Sequence, residues 1–176
     1  HAAKKNLDTS IDSDSIVRAE GGKIYVLSRL KGVLRIYGAD GAFANPVEIP
    51  TGDAMLAHDK TESTDVLAIP ATSKLYVAMY TADAAHAVGV IDPARSKDGV
   101  VTWIAVPASQ KSPLPRPTQL WFCGPLVYVL LEDLDMSFGL TGPGRIAIID
   151  PRTDKLVEDG QPNVIALTGN NPGGGF

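Results

Sequence analysis

The chain has 176 residues, of which 44% are hydrophobic, and it can therefore bury a sizeable core. The formal net charge is −4 and the Lys and Arg residues are scattered, which argues against a dedicated nucleic-acid surface because such surfaces are basic. No apolar run approaches the roughly 20 residues of a transmembrane helix, so no membrane span is predicted.

Residues 1–14 are polar, and we expect them to form a loosely held lead-in. A first unit of four short strands is then predicted, with turns at Gly21-Gly22 and Asp40-Gly41. Pro46 suits an outer edge because proline cannot donate a hydrogen bond to a sheet ladder. The four predicted strands are Ile16–Ala19, Lys23–Arg29, Val33–Tyr37 and Pro46–Ile49.

The same order of elements recurs twice more. In the second unit, Asp92-Pro93 predicts a β-turn, since Pro fixes φ at the second turn position. Its predicted strands are Asp65–Ile69, Lys74–Tyr80, Ala87–Asp92 and Val100–Val106. The third unit contains a long insert, Glu132 to Gly144, and its predicted strands are Gln119–Cys123, Leu126–Leu131, Arg145–Asp150 and Asn163–Leu167.

A repeat underlies these units. Tyr-Val pairs begin at Tyr25, Tyr76 and Tyr128, a period of 51 and then 52 residues, which is typical of repeat architectures. The second strand of each unit is apolar on both faces and needs cover above and below, which stacked sheets provide. The prediction is an all-β protein of β-propeller type with almost no helix and with the three tyrosines buried at equivalent positions. The predicted blades are residues 15–52, 64–107 and 117–169, and residues 170–176 are expected to begin a further blade.

These motifs resemble a known family. Lys74-Leu75-Tyr76-Val77 followed by Val88–Pro93 is similar to the bacterial YVTN β-propeller repeat, whose blades carry a Leu-Tyr-Val strand and a Val-x-Val-Ile-Asp-Pro strand. Two departures are Gly38, where the family has Asp, and Gln119-Leu120-Trp121. The resemblance implies an exported, periplasmic or cell-surface protein, lipoproteins included, that commonly has about seven blades.

Three units are fewer than the roughly 4–8 blades with which propellers close. We expect either that they are part of a larger propeller or that a partner completes the ring, and the first is favoured. The outer sheet faces of units one and three are then expected to be exposed and complementary. A second chain could stack head to tail through these open faces.

The long insert holds three carboxylates, Glu132, Asp133 and Asp135, beside Ser137 and Thr141. Clustered carboxylates in a flexible loop can supply the oxygen ligands that Ca2+ prefers. The glycine and glutamate spacing of an EF-hand is missing, so a solvated acidic loop is the favoured interpretation. Ca2+ is the one cofactor for which the sequence offers candidate ligands.

Two hypotheses of function follow. The first is a non-catalytic scaffold whose loops bind a protein or a glycan, since no catalytic set is assembled. The alternative is a metal-dependent hydrolase or lactonase of propeller type, which needs inward carboxylates from several blades. Asp65 is the candidate for that position, with Glu20 as a weaker one, and unit three offers Gln119 in the place of Asp65.

Three further features have plainer interpretations. His58 and Asp59 precede Ser63, but no Gly-x-Ser-x-Gly nucleophile motif occurs, so an inter-blade loop is favoured over a catalytic triad. The proline-rich stretch 112–117 is predicted to be a stiff linker between blades. The single cysteine, Cys123, can form no intrachain disulfide, which is compatible with either redox compartment.

Overall fold

The computed structural model describes residues 15–29, 31–38, 46–51, 62–70, 72–109, 112–139, 141–157 and 163–170. Over these residues the protein is all-β, with thirteen strands in three antiparallel sheets and two short 3₁₀ helices, Ala84–His86 and Pro93–Asp98. Neither of these helices has the length or the apolar character needed to cross a membrane. The predicted all-β class is confirmed, whereas the three sheets do not close a ring.

Unit one is a four-stranded meander in the order β1-β2-β3-β4. Gly21 and Gly22 join the first two strands with φ of 58° and 73°, the left-handed conformation that a two-residue hairpin turn of type I′ requires. The strands are β1 Ser15–Glu20, β2 Lys23–Ser28, β3 Val33–Tyr37 and β4 Val47–Pro50. The predicted turn at Asp40-Gly41 lies outside the described residues.

Unit two repeats this meander in the order β5-β6-β7-β8. The predicted turn at Asp92 is capped by its own carboxylate, which accepts a hydrogen bond from the Ala94 amide at 2.9 Å and leads into the second 3₁₀ helix. The strands are β5 Ser63–Ala68, β6 Leu75–Met79, β7 Val88–Ile91 and β8 Val100–Ile104.

Unit three has five strands, so the prediction of four is wrong. The strands β12 and β13 both pair with β11 and share the edge beyond it. Asn170 pairs with Pro143 at the end of β13. Residues 171–176, which belong to the segment expected to begin a further blade, lie outside the described residues. The strands are β9 Pro117–Cys123, β10 Leu126–Leu131, β11 Pro143–Asp150, β12 Lys155–Leu156 and β13 Val164–Asn170.

Two apolar cores hold the sheets together, and unit two contributes to both. Alternate residues of a strand point to opposite faces of a sheet. On β6, Leu75, Val77 and Met79 therefore join the core with unit one, whereas Tyr76 and Ala78 join the core with unit three. All five are 2% exposed or less, which confirms that the second strand of this unit is apolar and covered on both faces.

The strand pairing places Tyr25, Tyr76 and Tyr128 at equivalent positions on the second strands of their sheets. Tyr25 lies opposite Ile36, Tyr76 opposite Val90, and Tyr128 opposite Ile148. Tyr25 and Tyr76 are buried as predicted, at 4% and 0% exposure. Tyr128 is only partly buried, so it differs in burial from the other two tyrosines although its register position is the same, and no sheet among the described residues covers its face.

The outer face of unit one is not the bare apolar surface that was expected. Arg35 lies at its centre, 5% exposed, with Ser28 and Tyr37 buried beside it. The Arg35 Nε donates to Glu48 at 2.7 Å, and its Nη1 donates to the Ser28 hydroxyl at 3.2 Å. The equivalent positions to Arg35 are Gly89 in unit two and Ala147 in unit three. This face is therefore chemically unlike the faces that receive a stacked sheet elsewhere in the chain.

Because Tyr76 and Tyr128 differ in burial, substitution by alanine should lower the free energy of unfolding by different amounts at the two positions. Tyr76→Ala should lower the free energy of unfolding by about 3–5 kcal/mol, as for other fully buried aromatic residues. Tyr128→Ala should lower the free energy of unfolding by about 1–2 kcal/mol, because a partly exposed ring buries less apolar area. Urea denaturation of both variants provides the measurement, and equal costs would show that the face of Tyr128 is covered in solution.

Candidate functional site in the long loop of unit three

The three carboxylates of the insert lie in one loop but have separate partners. Glu132 accepts a hydrogen bond from the Tyr80 hydroxyl at 2.9 Å. Asp133, which is 1% exposed, is held by two bonds from Arg145 at 2.5 and 2.7 Å. Asp135 accepts from the backbone amides of Ser137 and Gly139, both at 2.8 Å, and so stabilises the turn of the loop.

Each of the three carboxylates is engaged by groups of the protein itself. Across the described ranges there is no group of three or more His, Cys, Asp or Glu residues that could hold a metal ion. Two of the three predicted ligands are buried, so the loop is not the solvated acidic segment that the sequence favoured. The carboxylates instead fix the loop to the body of the protein.

Arg116, from the proline-rich linker, packs against this loop. Its guanidinium lies 5.0 Å from the ring of Tyr80 and 4.5 Å from the ring of Phe138, and it is only 2% exposed. It donates hydrogen bonds to the Tyr80 carbonyl at 3.5 Å and the Asp135 carbonyl at 3.3 Å. Cations are attracted to aromatic faces, and the attraction strengthens when water is excluded. The stack joins unit two to the tip of the loop.

The proline-rich linker packs against the same loop. Ser112 donates its hydroxyl to the Leu134 carbonyl at 2.5 Å. The amides of Glu132 and Asp133 donate to the carbonyls of Arg116 and Pro115 at 3.1 and 3.0 Å. Because Pro115 and Arg116 are buried, the stretch acts as a connection between units, in agreement with the linker interpretation.

Backbone strain is concentrated in this loop and the proline-rich linker that packs against it. Arg116, Asp133 and Phe138 have φ of 52°, 52° and 61°, a left-handed conformation that costs non-glycine residues roughly 1–2 kcal/mol each. A strained backbone conformation persists only where surrounding packing and hydrogen bonds hold it in place, and such residues are frequent at functional sites. Three of the four non-glycine residues with positive φ in the described part of the chain belong to this one loop and its linker.

A cleft of about 330 Å³ opens beside the loop. Its polar wall is the Asp133–Arg145 ion pair, and Arg145 also donates to the Pro107 carbonyl at 2.7 Å. The remaining lining is small or apolar: Ala108, Ser109, Thr141, Gly142, Pro143 and Ala166. Because each charge in the wall is already paired, the cleft offers shape rather than a free charge, and the hydroxyls of Ser109 and Thr141 already donate to the carbonyls of Ser112 and Asp133.

Asp65 and Gln119, the other predicted binding residues, line a separate cleft of about 390 Å³ between the first strands of the three units. The Asp65 carboxylate accepts from Arg18 Nη1 at 3.2 Å and from the Leu120 amide at 2.8 Å, so it links units one and three. Burial raises the pKa of this carboxyl, opposed by the bonds from Leu120 and Arg18. Arg18 therefore supplies the positive charge that faces this carboxylate.

The strand register settles which residues are equivalent to Asp65. Asp65 pairs with Ala78 and Gln119 with Leu130, which places Gln119 at the corresponding position as expected. In unit one this position is taken by Ile16, opposite Leu27, and not by Glu20. Glu20 lies instead at the hairpin turn opposite Lys23.

Two residues of the considered triad, His58 and Asp59, lie outside the described residues. Ser63 is buried and its hydroxyl lies 3.4 Å from that of Thr51. Sequence reasoning missed Tyr80, Arg116, Phe138 and Arg145, because their role depends on distant partners. The one available signal was Arg116 itself, a charged residue between two prolines in an otherwise uncharged linker.

The fold is similar to a known structure. Hydrazine synthase of Kuenenia stuttgartiensis superposes with a TM-score of 0.59 at 17% sequence identity, over 88% of this chain and 36% of that chain. The chain therefore spans about a third of the length of this neighbour. At this identity the similarity shows the fold alone, a propeller-like arrangement of antiparallel sheets. No protein-family model matches the chain, and no curated protein matches it in sequence.

The link through Asp65 generates a stability prediction. Asp65→Ala should lower the free energy of unfolding by about 1–3 kcal/mol, because the Leu120 amide loses its acceptor and Arg18 its counter-ion. Asp98→Ala removes a carboxylate whose partner, Arg95, is largely exposed, and it should cost less than about 0.5 kcal/mol. Urea unfolding of the pair checks this, and equal losses would contradict the link between units.

The Tyr80–Glu132 bond predicts a loss of stability in alkali. Burial, and then the bond to Glu132, raise the pKa of Tyr80 from 10.0 to about 12. The fold therefore favours the protonated hydroxyl, and this contribution is complete below pH 10 and is lost as the pH rises through about 12. Glu132→Gln should move the tyrosinate absorbance transition of Tyr80 to lower pH, whereas Glu48→Gln, at a carboxylate paired with Arg35, should not.

Proposed function

We propose that this protein is a non-catalytic binding module, a propeller-type scaffold of an exported or cell-surface protein with YVTN-like repeats. The long loop of unit three is its contact surface, and its ligand is a protein. The observation that carries the proposal is a rigid, strained loop that presents apolar side chains to solvent.

Met136 and Phe138 are the exposed apolar residues of the loop, with 69% and 57% of their surface accessible. Exposed apolar side chains at a flexible tip would be unremarkable, but this tip is fixed. Phe138 stacks on buried Arg116, and the two amides that flank the turn bind Asp135. A fixed apolar side chain loses little conformational freedom on binding, which favours affinity.

The residue types favour a protein ligand over a glycan. Aromatic residues, Met and Arg are enriched at protein interfaces, and hot spots usually surround one or two aromatic anchors. The neighbouring cleft has no free charge in its wall and would border the interface rather than form its centre. The glycan hypothesis relies on the hydroxyl groups of Ser109 and Thr141 in that cleft.

The hydrolase alternative draws less support from the same contacts. Such an enzyme needs a carboxylate that is free to bind a metal ion at the meeting point of the first strands. Asp65 is there, but it is engaged by Arg18 and the Leu120 amide. Gln119 and Ile16 hold the equivalent positions, and neither can supply a charge.

A selection experiment tests the protein hypothesis. Peptides selected from a displayed library on the 176-residue chain should bind the loop, and Phe138→Ala should weaken the selected peptides by at least about thirtyfold, the loss expected of a hot-spot residue. Val17→Ala is the matched control, since Val17 is exposed to 64% on unit one, away from the loop.

Two results would overturn the proposal. One is a set of selected peptides that bind the Phe138→Ala and wild-type chains equally. The other is a glycan array that yields a ligand whose affinity depends on Ser109 and Thr141 but not on Phe138. One equivalent of tightly held metal, lost on Asp65→Asn, would favour the hydrolase instead.

A further inference from the structure

The cleft beside the loop of unit three has a hydrogen-bond donor in its wall that the protein leaves unused. Arg145 donates from Nε and Nη2 to the Asp133 carboxylate, and Nη2 also donates to the Pro107 carbonyl at 2.7 Å. Its third nitrogen, Nη1, makes no hydrogen bond to any described residue, and it is not one of the buried atoms without a partner. Because Arg145 lines the cleft and 14% of its side chain is exposed, two N–H groups remain accessible there.

The charge of this donor is already balanced. The Asp133 carboxylate is buried and engages Arg145 at two points, an arrangement that is strong and that fixes the plane of the guanidinium. A ligand carboxylate at Nη1 would bring a second negative charge close to Asp133, and like charges at short range disfavour each other. The wall therefore favours an uncharged acceptor, such as a carbonyl oxygen, over a carboxylate.

Thr141 supplies an acceptor in the same wall. Its hydroxyl donates its one hydrogen to the backbone carbonyl of Asp133, and no described group donates to its oxygen. A hydroxyl oxygen can accept as well as donate, so this one remains available to a ligand N–H group. The Ser109 hydroxyl, in contrast, already accepts from the Ser112 amide at 2.9 Å. A carbonyl oxygen for Arg145 and an N–H group for Thr141 occur together in a carboxamide.

The remaining lining fits the aliphatic stem that carries such a group. It is small and mainly apolar: Ala108, Gly142, Pro143 and Ala166. The cleft volume of about 330 Å³ lies at the lower end of the roughly 300–1,000 Å³ of ligand sites, in which a few polar groups orient a mostly apolar contact. A Cβ added to Gly142 would meet no atom within 4 Å, so the space beside it is open. The cleft therefore matches one side chain rather than a folded surface.

We propose that this cleft binds the carboxamide of an Asn or Gln side chain. The amide oxygen accepts from Arg145 Nη1, and the amide nitrogen donates to the Thr141 hydroxyl. The source of the side chain rests on the proposed function, in which a protein ligand contacts the adjacent loop at Phe138. The acetamido group of an amino sugar has the same chemistry, and the experiment separates these two sources.

A small amide tests the cleft without the loop. Propionamide carries the amide and a short aliphatic stem, and it is too small to depend on Phe138. In ¹H–¹⁵N spectra of the 176-residue chain, it should shift the Arg145 Nε–H and Thr141 amide signals, with a dissociation constant in roughly the millimolar range for so small a ligand. Propionate, which has the same stem and a negative charge, should bind at least about tenfold more weakly.

Three variants make the spectra specific to the cleft. Gly142→Leu should abolish the propionamide shifts, because it fills the open space without displacing a neighbouring atom. Gly169→Leu is the matched control, since a Cβ there also meets nothing within 4 Å and Gly169 is not in the cleft wall. Ala166→Leu blocks the cleft from strand β13, so the test holds even where Gly142→Leu fails to fold by circular dichroism.

The polar half of the site has its own variants. Thr141→Val keeps the shape of the side chain but removes the acceptor, and it should weaken propionamide by at least about fivefold. Thr141→Ser retains the hydroxyl and should restore the binding. Phe138→Ala should leave the affinity for propionamide unchanged.

Selected peptides test the source of the amide. Those that bind the loop should contain an Asn or Gln whose replacement by Leu weakens binding by at least about tenfold, the loss expected when a hydrogen bond to a charged group is removed. The same replacement should have no effect on binding to the Gly142→Leu chain, because the cleft is then closed. Agreement of both results supports the proposal.

Three outcomes would overturn the proposal. They are propionate that binds as tightly as propionamide, propionamide shifts that persist in a folded Gly142→Leu or Ala166→Leu chain, and N-acetylglucosamine that binds the cleft at least tenfold more tightly than propionamide while selected peptides need no amide. Propionamide that fails to bind, with peptides still weakened by Phe138→Ala, would defeat the amide site and leave the proposed function standing. Propionamide that binds, with peptides indifferent to Phe138→Ala, would support the amide site and contradict the proposed function.

Discussion

The structure depends on the face-to-face burial of unit two between its two neighbours. Every side chain of its second strand is excluded from water, and alternate residues of that strand belong to two separate cores. The hydrophobic effect rewards this burial in proportion to area, so the middle sheet binds both others without needing a specific polar contact. Units one and three are linked through residues of unit two, such as Asp65, which binds Arg18 of unit one and the Leu120 amide of unit three.

Polar links then fix the relative orientation of the sheets. Asp65 receives Arg18 from one side and the Leu120 amide from the other, while Tyr76 reaches Asp154 and Arg116 is enclosed by Tyr80 and Phe138. Apolar burial is not directional, whereas hydrogen bonds require defined distances and angles. The contacts of Arg116 with Tyr80 and Phe138 also hold the loop of unit three, the proposed contact surface, against unit two.

Much of the fold could be predicted from the sequence, because the apolar alternation and the turn residues act locally. Val33–Tyr37 and Leu126–Leu131 were predicted with their observed ends. The two-residue strand β12 was missed because two residues carry no periodicity. The candidate site was harder: the insert was found from its carboxylates, but their partners Tyr80 and Arg145 are distant in sequence, and Arg35 on unit one gave no local sign that it would be buried.

The sequential meander of each unit has a consequence for the order in which the molecule is made. Pairings within units one and two join consecutive strands, so each sheet has low contact order and can form soon after its residues leave the ribosome. Tyr76 and its neighbours, however, have no cover until β9 and β10 have been synthesised. Until then the nascent chain displays an apolar sheet face, and the speed of translation through residues 105–131 sets how long it stays open to mispairing and to chaperones.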